Sequence, residues 1–165
     1  LKDLTISYGQ KYFSTPVGEM NVVKKMKEVS SIVGGEGGGG IIYPELHYGR
    51  DALVGIALFL ALLVDKKCKV SKLKGQYSEY FMKKIKITLE DSNLIDRSFK
   101  VIAENYSELS PNTEDGVRID FEDAWVHMRK SNTEPIIRIF AEANSQDIAD
   151  SYALKIEKEI KSISA

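Results

Sequence analysis

A short polar segment between two alternating apolar runs carries the side chains best suited to hold an anion. It consists of Arg129-Lys130-Ser131-Asn132-Thr133-Glu134-Pro135. Arg129 offers a planar fork of donors that fits phosphate oxygens, and Lys130 adds a second positive charge. Ser131, Asn132 and Thr133 add hydroxyl and amide groups. The segment predicts a phosphate-binding loop, and the alternative is a solvated polar hairpin loop.

The flanking runs, residues 124–128 and 136–143, alternate apolar and polar side chains and therefore predict two strands joined by this loop. Arg129 falls on the face opposite Ala124. We expect it to point away from the core, with its charge free for a ligand. Arg138 is out of phase with the apolar residues of the second strand and is expected to support the loop.

A glycine-rich segment is the second candidate site: Gly34-Gly35-Glu36-Gly37-Gly38-Gly39-Gly40. It formally fits the dinucleotide fingerprint, but that motif needs a helix to follow, and residues 41–43 predict a strand. Apolar strands on both sides also disfavour a flexible linker. Glycines let a ligand approach the backbone, and the Glu36 carboxylate can accept hydrogen bonds from sugar hydroxyls. The alternative is a plain exposed carboxylate.

Composition limits the possible functions. The chain has 165 residues, of which 43% are hydrophobic and 28% charged, which is typical of a soluble globular protein with one domain or two small ones. A net charge of −1 gives no electrostatic argument for a nucleic-acid partner. His47, His127 and Cys68 are too few for a convincing zinc site. The single cysteine excludes an internal disulfide and favours the cytoplasm.

The most apolar run, residues 52–64, is shorter than the roughly 20 residues of a membrane-spanning helix and has charged residues on both sides. We predict a buried helix and no membrane association. The chain shows no signal-peptide pattern and lacks an initiator methionine. We therefore expect it to be a piece of a longer protein.

Two kinds of hydrophobic pattern divide the chain. The first part predicts helices and strands in alternation, hence an α/β unit, with elements at residues 1–10, 11–17, 18–29, 31–33, 41–43 and 51–64. The second part predicts the order βαβββα, an antiparallel four-stranded sheet with both helices on one face. We place the domains at residues 1–78 and 79–165.

The two candidate sites together resemble loops of the α-D-phosphohexomutases, the family of phosphoglucomutase, phosphomannomutase and phosphoglucosamine mutase. The glycine segment resembles the sugar-binding loop of their third domain, and the Arg129 segment resembles the phosphate-binding loop of their fourth. Supporting motifs occur in family order: Thr15-Pro16-Val17-Gly18, Gly49-Arg50-Asp51-Ala52 and residues 136–143. The resemblance covers nearly the whole chain. It implies an incomplete three-layer α/β domain followed by an α+β domain.

This resemblance implies an isomerase that interconverts hexose 1-phosphate and hexose 6-phosphate through a phosphoserine and a bisphosphate intermediate. The non-reacting phosphate would be held by Arg129, Ser131, Asn132 and Thr133, with possible support from Lys130 and Arg138. Glu36 would hold sugar hydroxyls, beside Gly38 where relatives usually carry Ser or Asn. Many members have His where Gly40 stands. Glu19 takes a position that is often polar, and its role is open.

Nothing in the sequence resembles the family's catalytic serine or its aspartate-rich magnesium loop. We therefore expect no catalytic residue and no metal ligand in this chain, and a Mg²⁺ site in the first two domains. The expected partner is that N-terminal half, on the same or a separate chain.

Two alternatives stay open. One is a sugar-phosphate binding module without chemistry. The other is an interaction or RNA-binding sheet that uses Trp125 and Phe140 on the face away from the helices. Arg118, Asp120 and Glu142 share that face, which favours contacts between domains instead.

Overall fold

The computed structural model describes residues 1–88, 92–131 and 134–164. It divides the chain into two units, Leu1–Gln76 and Tyr77–Ala165. The first unit consists of α1 (Lys2–Ser7), α2 (Glu19–Val29), β1 (Gly34–Gly35), β2 (Ile41–Tyr43), β3 (His47–Arg50), α3 (Ala52–Lys66) and α4 (Val70–Lys74). Its sheet is an antiparallel meander in the order β1-β2-β3. Val23 and Met26 of α2 pack against Ile42 to form a small core.

The glycine segment forms the turn between β1 and β2. The Glu36 N–H donates to the Gly40 carbonyl at 3.0 Å, and the Gly39 N–H donates to the Glu36 carbonyl at 2.9 Å. Gly39 has a φ of +91°, which favours glycine because it has no Cβ. A strand follows the turn, as predicted, so the helix that a dinucleotide-binding fingerprint requires is not formed.

Three expectations for the first unit are wrong. Residues 31–33 form no strand, since the first strand begins only at Gly34. Residues 11–17 form no strand, because no described strand lies beside them to share hydrogen bonds. The apolar helix α3 is not buried: none of its residues is, and Leu53 and Val64 are 77% and 76% exposed. A helix that is apolar all round normally lies inside a larger core, which the described part of this unit does not supply. None of the described helices is long and apolar enough to cross a membrane.

The second unit has the predicted βαβββα order. Its elements are β4 (Phe81–Thr88), α5 (Ser92–Asn105), a 3₁₀ turn (Ser107–Leu109), β5 (Val117–Asp120), β6 (Ala124–Lys130), β7 (Ile136–Ala143) and α6 (Gln146–Ser164). The sheet order is β4-β7-β6-β5, and every neighbouring pair is antiparallel.

Alternation along the strands separates the two faces of this sheet. The core face carries Ile87, Val117, Ile119, Val126, Met128, Ile137, Ile139 and Ala141, all within one buried cluster. Ile95 and Ile102 of α5 and Ile156 and Ile160 of α6 are fully buried and cover this face, as predicted. The Ser98 hydroxyl of α5 is also fully buried and has no hydrogen-bond partner among the described residues. Neither α5 nor α6 covers the opposite face, which is mainly polar but also carries Trp125 and Phe140.

Candidate functional site

Three cations form a row across the helix-free face of the second sheet. Arg129 of β6 lies directly opposite Arg138 of β7, near the end of the hairpin. Lys86 of β4 lies opposite Arg138 on its other side. Because like charges in opposed positions repel, this row lowers stability unless an anion compensates for it.

Arg129 lies on the predicted face, but its charge is not free, so that expectation is wrong. Its Nε is 2.9 Å from Asp115 Oδ2, an ion pair in which both side chains are 26% exposed. The same Nε has no hydrogen-bond partner among the described residues, so its N–H is not aimed at that oxygen. Asp115 therefore balances the charge of the guanidinium without using this donor.

Asp115 is itself held in place from β6. The Nε2–H of His127 donates to the Asp115 carbonyl at 2.6 Å, and burial lowers the pKa of His127 because it disfavours the charged imidazolium. Gly116 follows with a φ of +77°, and a Cβ there would collide with the Met128 carbonyl. The histidine and the glycine thus hold the backbone that carries Asp115 beside Arg129.

Arg138 keeps donor capacity as well. Its Nη2 is 3.9 Å from Glu134 Oε2, the side chain is 43% exposed, and its buried Nε has no hydrogen-bond partner among the described residues. Arg129 and Arg138 therefore present donors from neighbouring strands at the same end of the hairpin. That arrangement suits a tetrahedral anion with several acceptor oxygens.

The remaining loop residues differ in placement. Ser131 is 8% exposed, and its N–H donates to the Ile136 carbonyl at 3.0 Å, which closes the hairpin. Lys130 lies on the helix-covered face, with its Nζ 3.8 Å from Asp96 Oδ1 of α5, so the structure does not bring it to Arg129. Asn132 and Thr133 lie outside the described residues.

Glu36, at the start of the glycine turn, is held by an arginine. Its Oε2 accepts from Arg50 Nη1 at 2.9 Å, and its side chain is 23% exposed. Arg50 Nε donates to Glu19 Oε2 at 2.9 Å, and the Arg50 backbone N–H donates to Glu19 Oε1 at 3.1 Å. Glu36 is therefore not a solitary surface carboxylate. Sequence reasoning missed this cluster because its members are separated by up to 31 positions.

The surroundings of the cluster are acidic. Hydrogen bonds from the Arg50 backbone N–H and then from its guanidinium lower the pKa of Glu19. Asp51 caps α3 by accepting from the Val54 N–H at 3.0 Å, and this bond, followed by that of His47, lowers its pKa. An open depression of about 420 Å³ adjoins these groups and is lined by Glu19, residues 38–40, Arg50, Asp51 and Ala52.

Gly38 lies on the rim of this depression. A Cβ at Gly38 would meet no atom within 4 Å, so the turn has room for a larger side chain at this position. A sugar contact by Gly38 stays a prediction.

The donor groups of the described residues do not fit Mg²⁺. Nowhere among residues 1–88, 92–131 and 134–164 do three His, Cys, Asp or Glu side chains converge on a point where a metal ion could be held.

Comparison with known protein families gives two matches. Residues 1–80 match a model described as phosphoglucomutase/phosphomannomutase, alpha/beta/alpha domain III. Residues 67–159 match a model of the C-terminal domain of the same family. The chain belongs to the phosphoglucomutase/phosphomannomutase family.

Other members of this family are similar along most of the chain. A phosphoglucosamine/phosphogalactosamine mutase of Sulfurisphaera tokodaii is 35% identical over 146 residues, which is 87% of this chain and 32% of that protein. A phosphoglucomutase/phosphomannomutase of Thermococcus kodakarensis is 35% identical over 158 residues, which is 92% of this chain and 33% of that protein. The chain thus spans about one third of the length of these family members.

Solved structures show the same fold. A phosphoglucomutase/phosphomannomutase family protein from Burkholderia thailandensis has a TM-score of 0.72 and 22% identity, covering 98% of this chain and 34% of its own. An N-acetylphosphoglucosamine mutase of Aspergillus fumigatus, in complex with glucose 1,6-bisphosphate, has a TM-score of 0.69 and 13% identity, covering 98% of this chain and 36% of its own.

Proposed function

We propose that this chain is the substrate-binding C-terminal portion of an enzyme that interconverts hexose 1-phosphates and hexose 6-phosphates. Family membership supports this reaction class. The observation that carries the proposal is the opposition of Arg129 and Arg138, two cations placed together at the end of a polar hairpin. Asp115 and Glu134 offset part of this positive charge, and the two guanidinium groups suit the oxygens of a phosphate.

In this proposal the β6–β7 hairpin holds the phosphate that is not reacting. Arg129 and Ser131 bind its oxygens together with Asn132 and Thr133, and Arg138 supports them from the adjacent strand. Fixing the idle phosphate orients the sugar for in-line transfer at its other end. Lys130 has no part in this site, because its side chain lies on the other face of the sheet.

The glycine turn binds the sugar in this proposal, with Glu36 as the acceptor for its hydroxyls. Glu36→Ala should lower kcat/KM in the complete enzyme by roughly ten- to 150-fold, the effect of losing one charged hydrogen bond. Inhibition by inorganic phosphate should barely change. Gly38→Asn should be tolerated because the structure has room there. Unaltered kinetics in Glu36→Ala would remove the sugar role.

The rest of the enzyme supplies the chemistry. We place the phosphoserine and the Mg²⁺ ligands in the two thirds of the relatives' length that this chain does not span. The exposed apolar surface of α3 supports a partner polypeptide, since a self-sufficient binding module would cover it. The lone cysteine favours the cytoplasm for the assembled enzyme.

Hexose phosphates are the substrate class. The names of the relatives include glucosamine, galactosamine, glucose and mannose phosphates. An A. fumigatus structure of the same fold holds glucose 1,6-bisphosphate, which supports a bisphosphate intermediate in this group of proteins.

The structure offers less support for an RNA-binding sheet. The guanidinium carbon of Arg118 lies 4.4 Å from the Trp125 ring centroid, and Trp125 Nε1 donates to Glu142 Oε1 at 2.9 Å. Lys84 Nζ lies 5.9 Å from the centroid of the Phe140 ring. The aromatic faces that would stack on bases are thus occupied within the unit.

A coupled assay tests the reaction. The pure 165-residue chain should interconvert no hexose 1- and 6-phosphates, and addition of the N-terminal half should restore Mg²⁺-dependent turnover. Turnover by the chain alone would overturn the proposal that the N-terminal half supplies the catalytic groups. Binding that persists with no turnover in the mixture would favour the non-catalytic module.

A titration of the ¹⁵N-labelled chain with inorganic phosphate tests the anion site. Amide signals of residues 129–133 should move, and Arg129→Lys should weaken binding by about tenfold because a point charge loses one of two parallel hydrogen bonds. The affinity for every hexose phosphate should fall by a similar factor. If these residues stay still at millimolar phosphate while others respond, the hairpin is only a turn.

A further inference from the structure

Arg50 joins two carboxylates that come from different elements. Glu19 begins α2, Glu36 begins the glycine turn, and Arg50 ends β3. The guanidinium uses Nε toward Glu19 and Nη1 toward Glu36, each at 2.9 Å. One planar cation therefore sets the distance and angle between both acids.

Glu19 is wholly committed to Arg50. One of its oxygens accepts from the Arg50 side chain, and the other accepts from the Arg50 backbone N–H at 3.1 Å. These same bonds lower its pKa. Both Glu19 oxygens therefore already bind Arg50, although Glu19 lines the depression beside the turn.

Glu36 is only half committed. Its Oε2 accepts from Arg50, whereas its Oε1 has no hydrogen-bond partner among the described residues. A carboxylate fixed through one oxygen presents the other in a defined direction. Because an ionised carboxylate is an acceptor only, its free oxygen selects a ligand group that donates.

Gly40 makes this arrangement possible. A Cβ on Gly40 would lie 2.5 Å from Arg50 Cδ, so the aliphatic part of Arg50 passes directly over the glycine to reach Glu36. Glycine at position 40 therefore leaves room for the Arg50 side chain, and a larger residue there would displace Arg50.

The charges around the depression favour the sugar part of a ligand. Glu19 and Asp51 line the depression with two carboxylates, and Glu36, bonded to the lining residue Arg50, adds a third. Arg50 offsets one of these charges. This excess of negative charge repels a phosphate group and suits a face that bears hydroxyl or ammonium donors.

We propose that Arg50, anchored by Glu19, is a positioning residue that aims the Glu36 carboxylate at donor groups of the sugar. The inference rests on the proposed function, because it assumes that Glu36 binds sugar. It adds a role for Glu19 and Arg50 in discrimination between the sugar and the phosphate. Both residues line the depression, and in this proposal they act through the orientation of Glu36.

The test compares sugar phosphates with phosphate. The ¹⁵N-labelled chain is titrated with glucose 6-phosphate, mannose 6-phosphate and glucosamine 6-phosphate, and separately with inorganic phosphate. In the wild type, hexose phosphates should move the amide signals of residues 34–40, and inorganic phosphate should not. Arg50→Lys and Glu19→Gln should weaken hexose phosphate binding by about tenfold, the effect of one charged hydrogen bond, and leave phosphate binding unchanged.

Glu28→Gln is the matched control, because Glu28 forms an exposed ion pair with Lys25 at 2.7 Å on the same helix as Glu19. It should bind every probe as the wild type does. If Arg50→Lys disorders the first unit, the Glu19→Gln variant tests the positioning role by itself. This variant keeps Arg50, and the glutamine oxygen can still accept from the Arg50 backbone N–H.

A measurement without ligand separates the possible failures. Rotation of the Arg50 guanidinium, followed by ¹⁵N NMR, should be slow in the wild type and faster in both Glu19→Gln and Glu36→Gln. If Arg50→Lys and Glu19→Gln bind hexose phosphates as the wild type does, the positioning role is wrong and the proposed function stands. If the wild type shows no response at residues 34–40 to any sugar phosphate, the sugar site itself is wrong, and the inference is overturned with it.

Discussion

Arg129 and Arg138 stand directly opposite each other on β6 and β7, with one carboxylate, Asp115, close to Arg129 and another, Glu134, at 3.9 Å from Arg138. Both arginines keep an Nε that has no hydrogen-bond partner among the described residues. With Lys86, the row has three cations against these two carboxylates, so a bound anion would relieve the repulsion that remains. The effect of these arginines on fold stability can therefore be measured separately from their effect on anion affinity.

Removal of one of these charges should lower the affinity for phosphate and raise the stability of the fold. We expect Arg138→Gln to raise the free energy of unfolding by about 0.2–1 kcal/mol, because opposed like charges on neighbouring strands repel. The same change should weaken phosphate binding. Urea denaturation with and without inorganic phosphate measures both effects.

Lys100→Gln is the control for this experiment, because Lys100 is an exposed cation on α5, outside the row of cations. It should change neither quantity appreciably. Lower stability of Arg138→Gln without phosphate would show that the Arg138 charge stabilises the fold and that repulsion from Arg129 is not the dominant effect.

His127 should make the stability of the second unit depend on pH. Burial lowers its pKa in the folded state, so the unfolded chain binds this proton first as the pH falls. The free energy of unfolding should therefore decrease as the pH drops below about 6.5, the usual histidine pKa, and this contribution should level off below the folded-state pKa. Urea unfolding across this range provides the measurement.

His127→Gln should flatten that part of the pH profile. An NMR titration of the imidazole adds a direct check. A His127 that titrates above the usual histidine pKa would reverse the sign and refute the neutral form that donates to Asp115.

Ser98 predicts a stabilising substitution. Its hydroxyl is fully buried without a partner among the described residues, and such a group costs about 1–3 kcal/mol. Ser98→Ala should raise the free energy of unfolding by about 1 kcal/mol, at the low end of that range. Thermal or urea unfolding of the chain is sufficient to measure it.

Ser162→Ala separates this effect from the better helix propensity of alanine. Ser162 is also helical, but its exposed hydroxyl donates to the Glu159 carbonyl at 2.7 Å. Its substitution should stay within about 0.5 kcal/mol. Equal effects at both positions would mean that propensity alone explains the gain.

The exposed face of α3 predicts where the partner binds. Leu53→Lys combined with Val64→Lys should leave the unfolding of the isolated chain within about 0.5 kcal/mol, because both side chains are exposed. The double variant should fail to associate with the N-terminal half in a pull-down or light-scattering measurement. Met20→Lys, at an apolar position of α2 that is 78% exposed, is the control and should associate normally.

Association of the double variant at wild-type strength would place the partner elsewhere. The exposed apolar surface of α3 would then have no identified binding partner. The proposal that an N-terminal half binds this chain would lose its structural support.

The second unit was largely predictable from sequence, because its information is local. Alternation in β6 and β7 identified which side chains face the core, and that phase placed Arg129 and Arg138 on the helix-free face. The ion pair between Arg129 and Asp115 was not predictable, because it depends on how β5 enters the sheet. Charge alone gave no sign of which carboxylate would be its neighbour.

The first unit was less predictable, because its elements depend on distant neighbours. Residues 11–17 have the composition of a strand but no described strand to pair with. The composition of α3 predicts burial, but no large core surrounds it in the described part of the unit. Arg50 and Glu19 were visible only as parts of motifs, since their contact spans 31 positions.

The apolar surface of α3 also bears on how a cell must produce this chain. An exposed helix of this kind is what chaperones retain and proteases select, so copies that lack a cover would be removed. If the two parts of the enzyme are separate polypeptides, the scarcer one sets the amount of both. Balanced synthesis, and not substrate affinity, would then determine how much enzyme accumulates.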